Sequence, residues 1–180
     1  GLGHVELVAL LEVMGESLLC SPFFSSICLG ANAILTAATP AQKEALLPAI
    51  AEGETIATLA LSEAEGGWDP QSIETTFGER GDGFVLNGTK RFVPDGHIAD
   101  LLLVAARRAG TSGEDGMALF AVPADTKNIS RRRLPAMDQT RQQAEIQLDG
   151  VDVPADAQLG GGSANWAALA RGLDLAGVCL

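Results

Sequence analysis

Glu63 and Glu65 flank Ala64 directly after an apolar run, Gly66 and Gly67 follow, and Asp69 completes the turn. Paired carboxylates suit general acid–base chemistry. On an exposed loop the same spacing serves solvation, and that is the expectation for these three. The glycines add a second possibility: a strand running into Ser62-Glu63-Ala64-Glu65-Gly66-Gly67 offers backbone N–H groups to a ligand that no Cβ keeps at a distance. Other reactive side chains are sparse. His97 follows a Pro94-Asp95-Gly96 turn and His4 lies near the start, neither with a nucleophile or metal partner in view, so both read as turn or surface residues. No hydrolase triad can be assembled. Arg131-Arg132-Arg133 could hold a phosphate and reads more simply as the basic face of a strand. Cys20, Cys28 and Cys179 are odd in number and lack metal-type spacing, which argues against a disulfide framework or a zinc site and for a reducing, cytoplasmic setting.

The elements that must position these residues belong to a chain of 180 residues with formal charge −11 and 47% hydrophobic residues, enough for a real core. Residues 1–79 hold eleven acids and one base, Lys43. Apart from the three arginines no basic face is visible, which excludes a phosphate-tracking nucleic-acid binder. No apolar run reaches the length of a membrane span, and no signal-peptide pattern opens the chain. Gly1 stands first and Val178-Cys179-Leu180 falls within an apolar periodic stretch, so both ends read as cut from a longer protein.

Helical periodicity dominates the first third. Residues 5–20 set Leu7, Val8, Leu10, Leu11, Met14, Leu18 and Leu19 on one arc against Glu6, Glu12, Glu16 and Ser17, an amphipathic helix. Residues 23–38 are apolar on nearly every side and predict a helix buried among several neighbours. Thr39 before Pro40, with Gln42 three residues on, is a capping box opening a short helix that ends near Gly53 and that Pro48 should kink or cut short. From Thr55 the period becomes two. Strands are predicted over 55–61, 84–86, 89–93, 101–107, 117–122, 129–134, 144–148 and 151–153, with Asn87-Gly88 as a hairpin turn. The fold class is therefore α+β: a helical segment over 1–54, an antiparallel β-barrel or sandwich over 55–158, and the start of a further helical domain over 159–180.

Several of these segments, in this order, resemble acyl-CoA dehydrogenases. They are Thr58-Leu59-Ala60-Leu61-Ser62-Glu63, the Gly66-Gly67-Trp68-Asp69 turn, Leu86-Asn87-Gly88-Thr89-Lys90-Arg91-Phe92-Val93, Asp149-Gly150-Val151-Asp152-Val153-Pro154 and the loop of Gly160, Gly161 and Gly162. Pro40-Ala41-Gln42-Lys43 leading to Leu47-Pro48 fits the end of that family's N-terminal domain. The resemblance implies a helical N-terminal domain, a middle β domain and a C-terminal four-helix domain, with FAD held between the last two. It implies α,β-dehydrogenation of an acyl-CoA thioester, in which a glutamate takes the α-proton while the flavin takes hydride from the β-carbon. Electron-transfer flavoprotein would be the acceptor, and a homo- or hetero-tetramer the assembly.

Carried over by motif, the flavin contacts would be Leu59, Leu61 and Ser62, then Gly67 and Trp68 in the turn, then Phe92, Val93 and Pro94. Ser62 stands where the family usually has a threonine, Trp68 where it has a serine, and Pro94 where it has a hydroxyl residue; Ala64 replaces a proline. These departures resemble actinobacterial branches acting on steroid side chains or similarly bulky thioesters. The catalytic base is expected beyond Leu180, so this stretch alone should be inactive. Two other readings remain at this point: a non-catalytic subunit of a heteromeric dehydrogenase, and an unrelated α+β binding module.

Overall fold

In the computed structural model, residues 3–162 and 166–180 are described. Helix α1 spans His4–Glu16. It stops short of the predicted residue 20 because Leu18 turns to φ +47°. None of its residues is fully buried, and Val5, Leu10 and Val13 are exposed. The apolar stretch at 23–38 is helical as expected, but it opens as a π-helical segment, Phe24–Ala31, before tightening into α2, Asn32–Ala37. The wide turns bury Ser25 and Ser26, and Ser26 Oγ accepts the N–H of Ala57 at 3.2 Å.

Helix α3, Pro40–Ala51, carries the predicted capping box: Thr39 Oγ1 accepts from the Gln42 N–H at 3.3 Å and Gln42 Oε1 accepts from the Thr39 N–H at 3.0 Å. Pro48 does not cut the helix. Pro48 and Glu44 both face solvent, so water can satisfy the carbonyl that the missing N–H leaves free.

Seven strands follow: β1 Ala57–Ala60, β2 Thr76–Arg80, β3 Gly83–Pro94, β4 Leu101–Arg108, β5 Met117–Pro123, β6 Ile129–Arg133 and β7 Gln143–Pro154. They form one curled sheet in the order β1-β4-β2-β3-β7-β6, with β5 on β4. The expectation of a purely antiparallel barrel needs correction. β4 runs parallel to both β1 and β2, and the other pairings are antiparallel. The long excursion from β1 to β4 makes the parallel pairing possible, which a tight turn could not.

Asn87-Gly88 is not a hairpin turn. β3 runs straight through it, and the actual hairpin lies at Gly81-Asp82, with Gly81 at φ +60°. Opposite Asn87, β7 carries one extra residue, Gly150 at φ +68°, whose N–H donates to Asn87 Oδ1 at 2.9 Å. The two strands expected over 144–153 are thus one bulged strand. Gly88 is there for space as well: a Cβ would lie 2.7 Å from Thr75 Cα.

The all-apolar run of β4 is explained by two faces that are both covered. Leu101, Leu103 and Ala105 join the helices in one core, while Leu102, Val104 and Ala106 fill the inside of the curled sheet with Phe77 and Phe120. Helix α4, Trp166–Gly177, closes over α2, and Gly172 lets Thr36 come near. The helix predicted from Ser163 is observed from Trp166; residues 163–165 lie outside the described part. No described helix is long and apolar enough to cross a membrane.

Candidate functional site

A cavity of about 930 Å³ lies where the ends of β1 and β3 meet α1 and the end of α4. Strand alternation turns Leu59 and Leu61 toward the helices, at the rear of the cavity, and Ala60 toward the inner core. Ser62 follows on the wall, and its hydroxyl makes no hydrogen bond to any described residue. Thr58 Oγ1 donates to the Pro94 carbonyl at 2.6 Å, which locks the end of β3 beside β1.

Phe92 is placed by a bulge. Lys90 pairs with Ile146 and Val93 with Ala144, so Arg91 and Phe92 together oppose Glu145, and Phe92 takes φ +57°. A bulky residue in the left-handed region is strained, and such strain concentrates at ligand sites. The residue is 41% exposed and lines the cavity, its ring beneath the Arg91 guanidinium at 5.5 Å. Arg91 is held in turn by Glu145 at 3.1 Å.

Of the eight residues named as flavin contacts, Leu59, Leu61, Ser62, Trp68, Phe92 and Pro94 line this one cavity. Two do not. The bulge that turns Phe92 out turns Val93 in, to 1% exposure in the inner core. Gly67 lies against Ser72 instead, where a Cβ would sit 2.4 Å from the serine Cβ. Gly66, at φ +73° with nothing within 4 Å of a Cβ position, is the glycine that lines the cavity.

The expectation that Glu63 is solvated fails, whereas Glu65 is exposed. Glu63 is buried against Lys90, whose Nζ donates to its Oε1 at 2.7 Å and to the Leu61 carbonyl at 3.0 Å. The other bonds to the Glu63 carboxylate come from the N–H groups of Glu74 (2.8 Å) and Thr75 (2.9 Å). Burial pushes the Glu63 carboxyl up, but the Lys90 charge and these bonds outweigh it and hold the group below its ordinary range. Burial lowers the Lys90 ammonium to about 8, with Glu63 opposing the shift. Sequence reading missed this pair, although one signal was present: Leu86 and Lys90 share strand parity, so the lysine had to face inward.

A second polar group lines the cavity next to Pro94. Asp95, at φ +53°, meets Ser25 Oγ at 2.7 Å, and Arg141 lies over the Phe24 ring at 5.0 Å. Burial raises the Asp95 carboxyl, while Ser25, His97 and Arg141 pull it back. Arg131 donates to the carbonyls of Gly96 and Ala99 at 3.2 and 2.7 Å, and Arg132 pairs with Glu145 at 2.8 Å, so those two arginines brace the fold. Among the described residues no three metal-ligating side chains come together.

Residues 58–151 match the family model for the acyl-CoA dehydrogenase middle domain, more than half of the chain. The chain belongs to the acyl-CoA dehydrogenase family. It is 31% identical over 179 residues to the acyl-CoA dehydrogenase FadE12 of Mycobacterium tuberculosis, covering 97% of this chain and 46% of that one. It superimposes on a glutaryl-CoA dehydrogenase from Mycobacterium smegmatis with a TM-score of 0.85 at 30% identity, covering 98% of this chain and 45% of that one. A structure of a glutaryl-CoA dehydrogenase from the same organism in complex with FADH2 matches with a TM-score of 0.76 at 28% identity, covering 85% and 39%. The chain thus spans less than half the length of these relatives.

Proposed function

We propose that this chain forms the flavin-facing half of an FAD-dependent acyl-CoA dehydrogenase. The observation that carries the reading is the convergence of Leu59, Leu61, Ser62, Trp68, Phe92 and Pro94, from segments about thirty residues apart, on one cavity in a chain of this family. The residues suit a flat ring system with one polar edge: Leu59, Leu61 and Phe92 supply apolar walls, Ser62 a hydroxyl without a hydrogen-bond partner among the described residues, and Gly66 a backbone that a ligand can approach. Bound FAD would supply the electron sink for hydride leaving the β-carbon of an acyl-CoA.

The chain's own part in that chemistry is to bind, orient and exclude water. Leu59 and Leu61 keep water from the rear wall, Phe92 closes the side, and the Ser62 hydroxyl fixes the ligand's polar edge. Trp68, an exposed lining residue, would meet the substrate or the outer end of the cofactor. Glu63 is spent on Lys90, Glu74 and Thr75 and does not line the cavity, so it is no α-proton base. We assign that base to sequence outside this chain, with electron-transfer flavoprotein as acceptor, a tetramer as assembly and the cytoplasm as location. The test is anaerobic titration of the full natural protein with a panel of acyl-CoA thioesters. Bleaching of the visible flavin band by one of them supports the reading and names the acyl class.

One observation favours a second reading. Pro94 lines the cavity with neither an N–H nor a hydroxyl, and the nearby Thr58 hydroxyl is consumed by the Pro94 carbonyl. A non-catalytic subunit of a mixed assembly would tolerate that loss. A purified protein with no flavin band, or one that no thioester bleaches, would select this reading.

A further inference from the structure

The loop from Leu61 to Thr75 brings Leu61, Ser62, Gly66 and Trp68 to the cavity; Leu61 and Ile73 anchor its ends in the core, while its middle has no apolar anchor. Ala64, Glu65, Gly66, Trp68 and Asp69 are all exposed. Polar bonds fix the main chain at both ends as well. Lys90 Nζ reaches the Leu61 carbonyl at 3.0 Å, and the N–H of Arg91 reaches the Ser62 carbonyl at 2.8 Å. Glu63 spans to the other end through the N–H groups of Glu74 and Thr75. There Arg107 Nε donates to the Ile73 carbonyl at 2.5 Å, and Nη2 donates to that of Pro70.

Lys90 has no exposed surface at all. A buried ion pair is seldom more stable than an apolar pair of the same volume. A methionine at position 90 would fill the core as well as a lysine, but it could not reach two acceptors on a different segment. The distinctive contribution of Lys90 is therefore the place of the Leu61–Glu63 main chain.

Resting on the flavin reading above, we propose that Lys90 and Glu63 act as a positioning pair: buried behind the cavity, they hold the Ser62–Trp68 wall in the shape that receives the flavin. Neither residue touches the ligand; both act through the loop.

The test uses the full natural protein stripped of flavin and titrated with FAD, following the change in flavin fluorescence, with thermal unfolding measured alongside. The double variant Lys90→Met/Glu63→Gln removes both charges; the amide oxygen still accepts from one of the Glu74 and Thr75 N–H groups, which bond separate oxygens of Glu63, and the melting temperature reports how much the loss of the other costs. Val122→Ala, in the inner core away from the cavity, serves as a stability control. The expected result is an FAD dissociation constant raised at least about tenfold in the double variant, against less than about twofold in Val122→Ala at a comparable melting temperature. Hydrogen exchange should quicken at the amides of residues 62–75 in the double variant and not in the control. Affinity that tracks melting temperature equally in both variants, or wild-type affinity in the double variant, would overturn the positioning role and leave the flavin reading intact. A wild-type protein that takes up no FAD would overturn both.

Discussion

Thr58 Oγ1 lies 2.6 Å from the Pro94 carbonyl, a bond between residues thirty-six positions apart that fixes the cavity ends of β1 and β3 side by side. Thr58 has no exposed surface. Thr58→Val keeps the shape and leaves that carbonyl without its donor, so it should cost about 1–3 kcal/mol in denaturant unfolding. Thr58→Ser should recover most of the loss. A valine variant as stable as wild type would show the bond to contribute nothing.

Phe92 should separate stability from binding. The residue is partly exposed and its backbone strained, so Phe92→Ala should change unfolding free energy by no more than about 1 kcal/mol. FAD affinity should fall roughly fivefold through the lost aromatic contact. Equal affinity in the two proteins would remove Phe92 from the site.

Gly88→Ala should be among the most damaging single changes. The glycine has φ +150°, and the added Cβ would meet the Thr75 main chain at 2.7 Å. Strain and overlap together predict a loss of about 3 kcal/mol or more, read as a fall in melting temperature.

The Glu63–Lys90 pair gives stability a pH signature with two limbs. Glu63 has a folded pKa below its ordinary 4.5, so the folded state releases its proton more readily than the unfolded chain does. Its contribution is present above pH 4.5 and is lost as pH falls through the lower folded value. Lys90 is lowered from 10.5 to about 8, so the cost of burying its charge is fully present below pH 8 and is relieved as pH rises toward 10.5. Stability of the wild type relative to Lys90→Met/Glu63→Gln should therefore fall below pH 4.5 and rise between pH 8 and 10.5. A difference that stays flat over both ranges would contradict the assignment.

Thiol labelling should distinguish the cysteines. Cys20 is exposed, whereas Cys28 and Cys179 are buried, and burial together with the adjacent Cys179 thiol pushes Cys28 up to about 12. Iodoacetamide followed by peptide mapping should mark Cys20 alone in the native protein and all three in denaturant. Rapid native labelling of Cys28 would show that the helices around it open.

Local rules carried much of the reading. The Thr39–Gln42 capping box, the helical stretch over 23–38, the run that became β4 and the glycine turn after β1 are written in short-range spacings, and each formed where expected. Asn87-Gly88 shows the limit of such rules. The same dipeptide that would close an isolated hairpin lies mid-strand here, because Asn87 satisfies a bulge on β7 and Gly88 yields space to Thr75.

The sequence by itself determined the types of most elements, the family to which the motifs belong and the six named contacts, from Leu59 to Pro94, that line the cavity. Tertiary structure decided that β4 runs parallel to β1 and β2, that Lys90 and Glu63 spend their charges on each other, and that Phe92 turns out where Val93 turns in. Each of these depends on partners far along the chain. The choice among such partners is made only when every apolar face is covered and every buried charge is matched at once, a condition on the whole chain rather than on any window of it.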